Sequence, residues 1–78
     1  MTTKERLQTI FREVFEDEEI EITEETTADD IEEWDSLTHI QLIVEIEKEF
    51  NIKFTTIETI KLKNVGEFIS LIEKKINA

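Results

Sequence analysis

Three stretches of the chain place apolar residues three or four positions apart, over residues 7–15, 37–50 and 65–76. That spacing puts the apolar side chains of each stretch on one face of an α-helix. The chain contains no Pro and one Gly, so almost nothing interrupts the helical pattern. No segment shows the strict alternation of apolar and polar residues that is typical of a β-strand. We therefore predict an all-α fold.

Capping residues predict where these helices begin and end. A Thr or Asn followed three residues later by Glu is typical of a helix N-terminus. The chain has three such pairs, Thr2 with Glu5, Thr55 with Glu58 and Asn64 with Glu67. Asn51 is expected to end the second helix, since Asn tolerates the left-handed conformation. The predicted helices span about residues 3–16, 36–50, 57–62 and 65–76, and the third is only a turn or two long.

A strongly acidic segment separates the first two helices. From Glu16 to Glu33 it holds eleven acidic residues and no basic residue. Ile20, Ile22 and Ile31 interrupt the charge, and we interpret them as anchors that hold a long loop on the core. The four acidic residues at its start lack the alternating ligands and turn glycine of a calcium loop, so solvated charge is the better interpretation.

At 78 residues the chain is long enough for one domain with a small core. Three longer helices, one short third helix and a long loop between helices one and two are typical of a small antiparallel four-helix bundle, which we predict over residues 1–78. The chain has no Cys, no Tyr and a single His, so few groups are available for acid–base catalysis or zinc binding. We expect neither an enzyme nor a metal site.

The formal net charge of −11 excludes some partners and favours others. Such a surface repels nucleic acid and anionic membranes, and it attracts basic protein surfaces. The chain has no apolar run long enough to span a membrane and no apolar core of a signal peptide. We therefore expect a cytoplasmic monomer whose partners are proteins.

The second predicted helix carries two separate apolar stripes. Its core stripe consists of Leu42, Ile43, Ile46 and Phe50. The other stripe consists of Leu37, Ile40 and Val44 and borders a polar, largely acidic face. Exposed apolar residues in such a setting are better explained by docking of a partner than by packing. If the bundle encloses an apolar ligand, the residues expected to line that cavity are Leu42, Ile43, Ile46, Ile60 and Leu62.

Ser36 at the start of that helix has two interpretations. By base rate, a serine before a helix is an N-cap. A helix N-terminus also favours an attached phosphate, because its free N–H groups and its dipole face the anion. Asp35 beside the hydroxyl suits either capping or holding a metal ion during phosphoryl transfer. Taken alone, these two residues leave both interpretations open.

The run Trp34-Asp35-Ser36-Leu37, with the Glu-rich helix that follows to Phe50, resembles the acyl carrier protein family. In that family an Asp-Ser-Leu opens the second helix, and the serine hydroxyl receives 4′-phosphopantetheine from coenzyme A. The similarity covers the whole chain in length, acidity, helix pattern and the loop before the serine. It implies that Ser36 carries the arm, that Asp35 assists its attachment, and that acyl or aminoacyl groups are carried as thioesters. The thiol of the arm would also compensate for the missing cysteine.

The resemblance also implies partners and a docking face. The partners are a phosphopantetheinyl transferase and the enzymes that load and use the cargo, all with basic docking surfaces. The residues implied in docking are Leu37, Gln41, Val44, Glu45, Lys48 and Glu49. Glu33-Trp34 replaces the usual Gly-Ala, and Thr38, Gln41 and Lys48 occupy positions that are commonly acidic in the family. These departures favour a specialised pathway over housekeeping fatty acid synthesis.

Other interpretations remain beside the carrier hypothesis. One alternative is a non-covalent acidic helical adaptor that docks on a basic protein surface. A small hydrolase built on Ser36 and His39 is disfavoured, since no residue would orient the base. We predict that His39 is a packed, hydrogen-bonded core histidine. Trp34 is interpreted as a lid on the core, with a wall beside the arm as the alternative.

Overall fold

The computed structural model describes residues 2–77, and these fold into four α-helices. The helices are α1 (Thr3–Val14), α2 (Ser36–Phe50), α3 (Thr56–Lys61) and α4 (Val65–Ile76). Over residues 2–77 the backbone forms no β-strand, and Thr27 makes an isolated antiparallel bridge with Asn64. The prediction of an all-α fold with three longer helices, a short third helix and a long loop before α2 is confirmed.

The predicted caps start the helices. The side chains of Thr2, Thr55 and Asn64 accept the backbone N–H of the residue three positions later, at 3.1, 3.1 and 2.8 Å. At α1 and α3 the carboxylate of the glutamate accepts the backbone N–H of the capping threonine, which completes a capping box. Asn51 ends α2 in the left-handed conformation, with φ of 55° and ψ of 51°. These local signals therefore fix the ends of most helices.

The first helix is shorter than predicted. It ends at Val14, and Glu16 takes a left-handed conformation with φ of 53°. The N–H of Asp17 donates to the carbonyl of Arg12 at 3.0 Å, in the pattern of a Schellman motif. Negative charge is unfavourable at a helix C-terminus, so the acidic run that starts at Glu16 does not prolong the helix.

One apolar core holds α1 against α2 and α4. The predicted core stripe of α2 is buried, and its residues Leu42, Ile43, Ile46 and Phe50 are 0 to 8% exposed. The side chains that are completely buried include Leu7 and Phe11 of α1 and Phe68 and Ile72 of α4. The helical spacing in the sequence thus identifies the core correctly.

The long loop before α2 is attached to the bundle by apolar side chains and by backbone hydrogen bonds. Ile22 and Ile31 are buried, and Ile20 packs partly against the core, as predicted. The carbonyl of Thr26 accepts the N–H of Val65, the first residue of α4, at 2.9 Å. The loop therefore follows a defined path to the start of α2.

Candidate functional site

Ser36 is the first residue of α2, and it is exposed. The cap is Asp35: its Oδ1 accepts the N–H of Thr38 at 3.0 Å, and the Thr38 hydroxyl accepts the N–H of Asp35 at 2.8 Å. The interpretation of Ser36 as the N-cap is therefore wrong. Within residues 2–77 the Ser36 hydroxyl makes no hydrogen bond to the protein. The Ser36 hydroxyl therefore does not cap the helix and is accessible to solvent.

Asp35 is exposed and ionised beside this hydroxyl. The N–H of Thr38 donates to the carboxylate, and this bond is the main reason why the pKa of Asp35 lies below its ordinary value. An exposed carboxylate oxygen is a ligand that Mg²⁺ prefers. The sequence contained a signal for the cap itself, because Asp followed three residues later by Thr fits a capping box.

Trp34 anchors the segment before the serine. It is 7% exposed, and its ring packs edge-on against Phe11 with the ring centroids 5.2 Å apart. Phe15 and Phe68 lie beside the same indole. The prediction that Trp34 is a lid on the core is confirmed. Trp34 thus attaches the backbone to the core two residues before the exposed Ser36.

His39 links the segment before the serine to α3. Its Nδ1 accepts the indole N–H of Trp34 at 3.1 Å, and its Nε2 lies 3.1 Å from the carbonyl oxygen of Thr59. The prediction of a packed, hydrogen-bonded histidine is confirmed. Because Trp34 and Thr59 engage both ring nitrogens, neither nitrogen is available as a base for Ser36. This geometry disfavours the hydrolase hypothesis.

The second apolar stripe of α2 is exposed, as predicted. Leu37, Ile40 and Val44 are 66, 60 and 41% exposed. On α3, Ile57 and Ile60 are 65 and 72% exposed, so Ile60, expected as a liner if the bundle encloses an acyl chain, lies at the surface in this structure. The other predicted liners Leu42, Ile43, Ile46 and Leu62 are buried. The apolar surface of α3 was not predicted, although the three-residue spacing of Ile57 and Ile60 puts both side chains on one side of the helix.

The predicted polar docking residues fall into two groups. Gln41 and Lys48 are exposed, and Lys48 forms a loose pair with Glu45 at 3.9 Å. Glu49 instead binds Arg6 of α1, with Nη2 and Oε2 3.0 Å apart. Arg6 also donates to the backbone carbonyl of Glu49 at 3.0 Å. The structure therefore gives Glu49 an intramolecular partner that the sequence did not reveal.

The four acidic residues at the start of the loop, Glu16-Asp17-Glu18-Glu19, are exposed or half-buried. Among residues 2–77, no group of three or more His, Asp or Glu side chains is placed to hold a metal ion. In the same part of the chain, each helix is too short or too polar to cross a membrane.

Comparisons with known proteins agree with this geometry. Residues 5–72 match the family model described as phosphopantetheine attachment site. An acyl carrier protein from Streptococcus pyogenes serotype M3 is 40% identical over 75 residues, which are 96% of this chain and 97% of the relative. One from Thermotoga maritima is 32% identical over 71 residues, which are 91% of this chain and 88% of the relative.

The fold is also similar to that of a solved acyl carrier protein. The solution NMR structure of the holo acyl carrier protein from Geobacter metallireducens aligns with a TM-score of 0.92 at 49% identity, covering 99% of this chain and 88% of that one. The family match and this holo structure indicate that the cofactor of the chain is covalently attached 4′-phosphopantetheine. The chain therefore belongs to the acyl carrier proteins, which are carriers of acyl groups and not catalysts.

Proposed function

We propose that Ser36 is the residue to which 4′-phosphopantetheine is attached. The observation that carries this proposal is an exposed hydroxyl at the first residue of α2, directly behind the aspartate that caps the helix. The chain has one other serine, Ser70, which lies in the middle of α4 and not at the start of a helix. A helix N-terminus also favours the negative charge of the resulting phosphodiester.

The attachment exchanges one bond to phosphorus for another. Ser36 Oγ bonds to the phosphorus that bears the pantetheine part of coenzyme A, and the bond from that phosphorus to the bridging oxygen breaks. The bridging oxygen leaves with the nucleotide phosphate, and the serine proton passes to solvent. Asp35 is exposed and its pKa is lowered, so its carboxylate would be available as a ligand for a metal ion that neutralises the phosphates. The attached arm supplies the thiol that holds the cargo, since the chain has no Cys.

The carrier role requires partner enzymes, and we propose that they dock on α2. These partners are a phosphopantetheinyl transferase and the enzymes that load and use the acyl or aminoacyl cargo. The proposed docking residues are Leu37, Gln41, Val44, Glu45, Lys48 and Glu49. An exposed apolar stripe beside carboxylates complements a basic surface with an apolar pocket. Weak, charge-steered contact allows release between steps, while the tether keeps the cargo at high local concentration. The cytoplasm is our proposed location.

We also propose that the carrier serves a specialised pathway. The support is that Thr38, Gln41 and Lys48 stand where the family commonly has acidic residues, and Thr38 is committed to the cap of α2. Each exposed ion pair contributes about 0.2–1 kcal/mol to an interaction. Losing several such pairs is expected to weaken docking on fatty acid synthesis enzymes that read these positions.

Intact-mass measurement after incubation with a phosphopantetheinyl transferase, coenzyme A and Mg²⁺ tests the attachment site. We expect the wild type to gain the mass of one arm, Ser36→Ala to gain none, and Ser70→Ala to behave as the wild type. Asp35→Asn keeps a capping side chain and removes the charge, so it should be modified more slowly without unfolding. An unmodified wild type would favour the acidic adaptor, and an arm on Ser36→Ala would refute the proposed site.

A charging assay tests the pathway. The malonyl-loading enzyme of fatty acid synthesis would be offered the holo form of this chain and, as control, the holo Streptococcus pyogenes relative. We expect kcat/KM to be about tenfold lower for this chain, which corresponds to about 1.4 kcal/mol of lost docking free energy. Equal rates would contradict the specialised role.

A further inference from the structure

The short helix α3 has no apolar anchor of its own. None of its residues Thr56–Lys61 is buried, and both of its isoleucines are largely exposed. A six-residue helix is far too short to be stable by itself. The buried Leu62 directly after α3 and Phe54 just before it attach the two ends of the segment to the core, so the orientation of the helix between them depends on further contacts.

Two polar contacts reach α3 from neighbouring helices. Lys75 of α4 pairs with Glu58, with Nζ and Oε1 2.9 Å apart. His39 of α2 meets the backbone carbonyl of Thr59, with Nε2 3.1 Å from the oxygen. The contact with Thr59 comes from the helix that begins at Ser36, one turn after that residue.

The hydrogen bonds of His39 fix its tautomer. The indole N–H of Trp34 is a donor only, so Nδ1 of His39 must accept it. The ring proton is then on Nε2, which donates to the carbonyl of Thr59. The imidazole also stacks on Trp34, with the rings 6.1 Å apart and inclined by 18°, and Phe68 packs against it from α4. The core thus holds the ring in the one orientation that reaches α3.

We propose that His39 is a positioning residue that holds α3 beside the first turns of α2, so that the exposed apolar residues of both helices form one docking surface. The link joins the backbone segment that carries the exposed Ile40 to the segment that carries the exposed Ile60, since each isoleucine directly follows one of the two linked residues. This inference rests on the proposed function, in which client enzymes dock on α2. Without the link, Ile57 and Ile60 would lose their fixed place relative to Leu37 and Ile40.

Three substitutions separate the link from the core. His39→Leu fills a similar volume but neither accepts from Trp34 nor donates to Thr59. His39→Gln retains an acceptor and a donor and should restore the link in part. Trp34→Phe removes the indole N–H, but the carbonyl of Thr59 can only accept and so still selects the ring proton on Nε2; this variant is the matched control for the Thr59 bond.

Amide hydrogen exchange by NMR measures the link directly. We expect His39→Leu to speed the exchange of the α3 amides about tenfold, as the loss of one hydrogen bond predicts, while the α1 and α4 amides keep their rates. His39→Gln and Trp34→Phe should stay closer to the wild type. Unchanged α3 exchange in His39→Leu, or an equal increase throughout the bundle, would overturn the inference.

Transferase kinetics test the docking role. In His39→Leu we expect KM for the carrier to rise severalfold at nearly unchanged kcat, because Ser36 and its cap stay in place. Faster α3 exchange without a change in KM would refute the docking role. A wild type that gains no arm would overturn the proposed function instead, and the exchange rates would still decide whether His39 positions α3.

Discussion

Asp35 Oδ1 accepts the backbone N–H of Thr38 at 3.0 Å, and this bond caps α2 without involving the neighbouring serine. That the aspartate and not the serine caps the helix has a chemical consequence. A serine that capped the helix would offer its hydroxyl to a backbone N–H and turn it toward the helix. Because the aspartate caps, Ser36 remains exposed and available for modification.

Truncation to alanine should therefore affect the free energy of unfolding differently at these two adjacent residues. We expect Ser36→Ala to change the free energy of unfolding by less than about 0.5 kcal/mol, as for other exposed positions without a structural role. Asp35→Ala removes the cap and should lower the free energy of unfolding by clearly more than Ser36→Ala does. Urea unfolding followed by circular dichroism measures both. A large loss in Ser36→Ala would mean that its hydroxyl supports the helix after all.

The cap also predicts a pH dependence. The pKa of Asp35 is lower in the folded chain than its ordinary value, mainly because of the hydrogen bond from Thr38. The unfolded chain therefore binds a proton first, and the stabilisation from this carboxylate is present above the ordinary aspartate pKa of about 3.9 and is lost as the pH falls through the lowered pKa.

Unfolding of the wild type and of Asp35→Asn, followed from pH 7 to pH 2.5, isolates this contribution. Both chains share the other carboxylates, so their common repulsion cancels in the difference. We expect the difference to be constant above about pH 5 and the wild type to lose stability relative to the variant below about pH 4. A difference that does not vary with pH would contradict the lowered pKa.

Local signals in the sequence were sufficient for much of the fold. The pairs that cap α1, α3 and α4 lie three residues apart, so their pattern is visible without the tertiary structure. Helical spacing likewise separates the buried Leu42 from the exposed Leu37 on α2. The exposed position of Ser36 does not follow from this spacing, because Ser36 lies seven residues before the buried Ile43 and therefore on the same side of the helix.

Contacts between distant residues were not predictable in the same way. Arg6 and Glu49 are 43 positions apart, and His39 and Thr59 are 20 apart. No local pattern specifies that these pairs meet, since their contact depends on how the helices pack. This is why Glu49 was interpreted only as a docking residue and why its ion pair with Arg6 was not predicted.

Gly66 at the start of α4 should not tolerate a side chain. Its N–H donates to the carbonyl of Glu24 at 2.9 Å, and an added Cβ would lie 3.0 Å from the same oxygen. Alanine favours a helix by up to about 1 kcal/mol over glycine, but crowding of a packed site costs about 1–3 kcal/mol. We therefore expect Gly66→Ala to lower the free energy of unfolding by about 1 kcal/mol, measured by urea unfolding with Ser70→Ala as control. A more stable Gly66→Ala would show that the loop yields easily.

The two carboxylates near the end of α2 should have different roles. Glu49 binds Arg6 of α1, whereas the one ion pair of Glu45 within residues 2–77 is the loose pair with Lys48. We expect Glu49→Lys to lower the free energy of unfolding by about 1 kcal/mol, because it breaks this ion pair and places a second cation beside Arg6. Glu45→Lys should change it by less than about 0.5 kcal/mol and should mainly raise the KM of the transferase for the carrier.

Salt separates the docking effect from the structural one. The Debye length falls from about 10 Å at 0.1 M salt to about 3 Å at 1 M, so charge steering by an exposed carboxylate is screened. The KM difference between the wild type and Glu45→Lys should therefore shrink as salt is added. The bond from Arg6 to the backbone carbonyl of Glu49 involves a neutral acceptor, so the Arg6 contact should lose less with salt. A KM difference for Glu45→Lys that persists at high salt would mean that Glu45 contacts its partner by shape and not by charge.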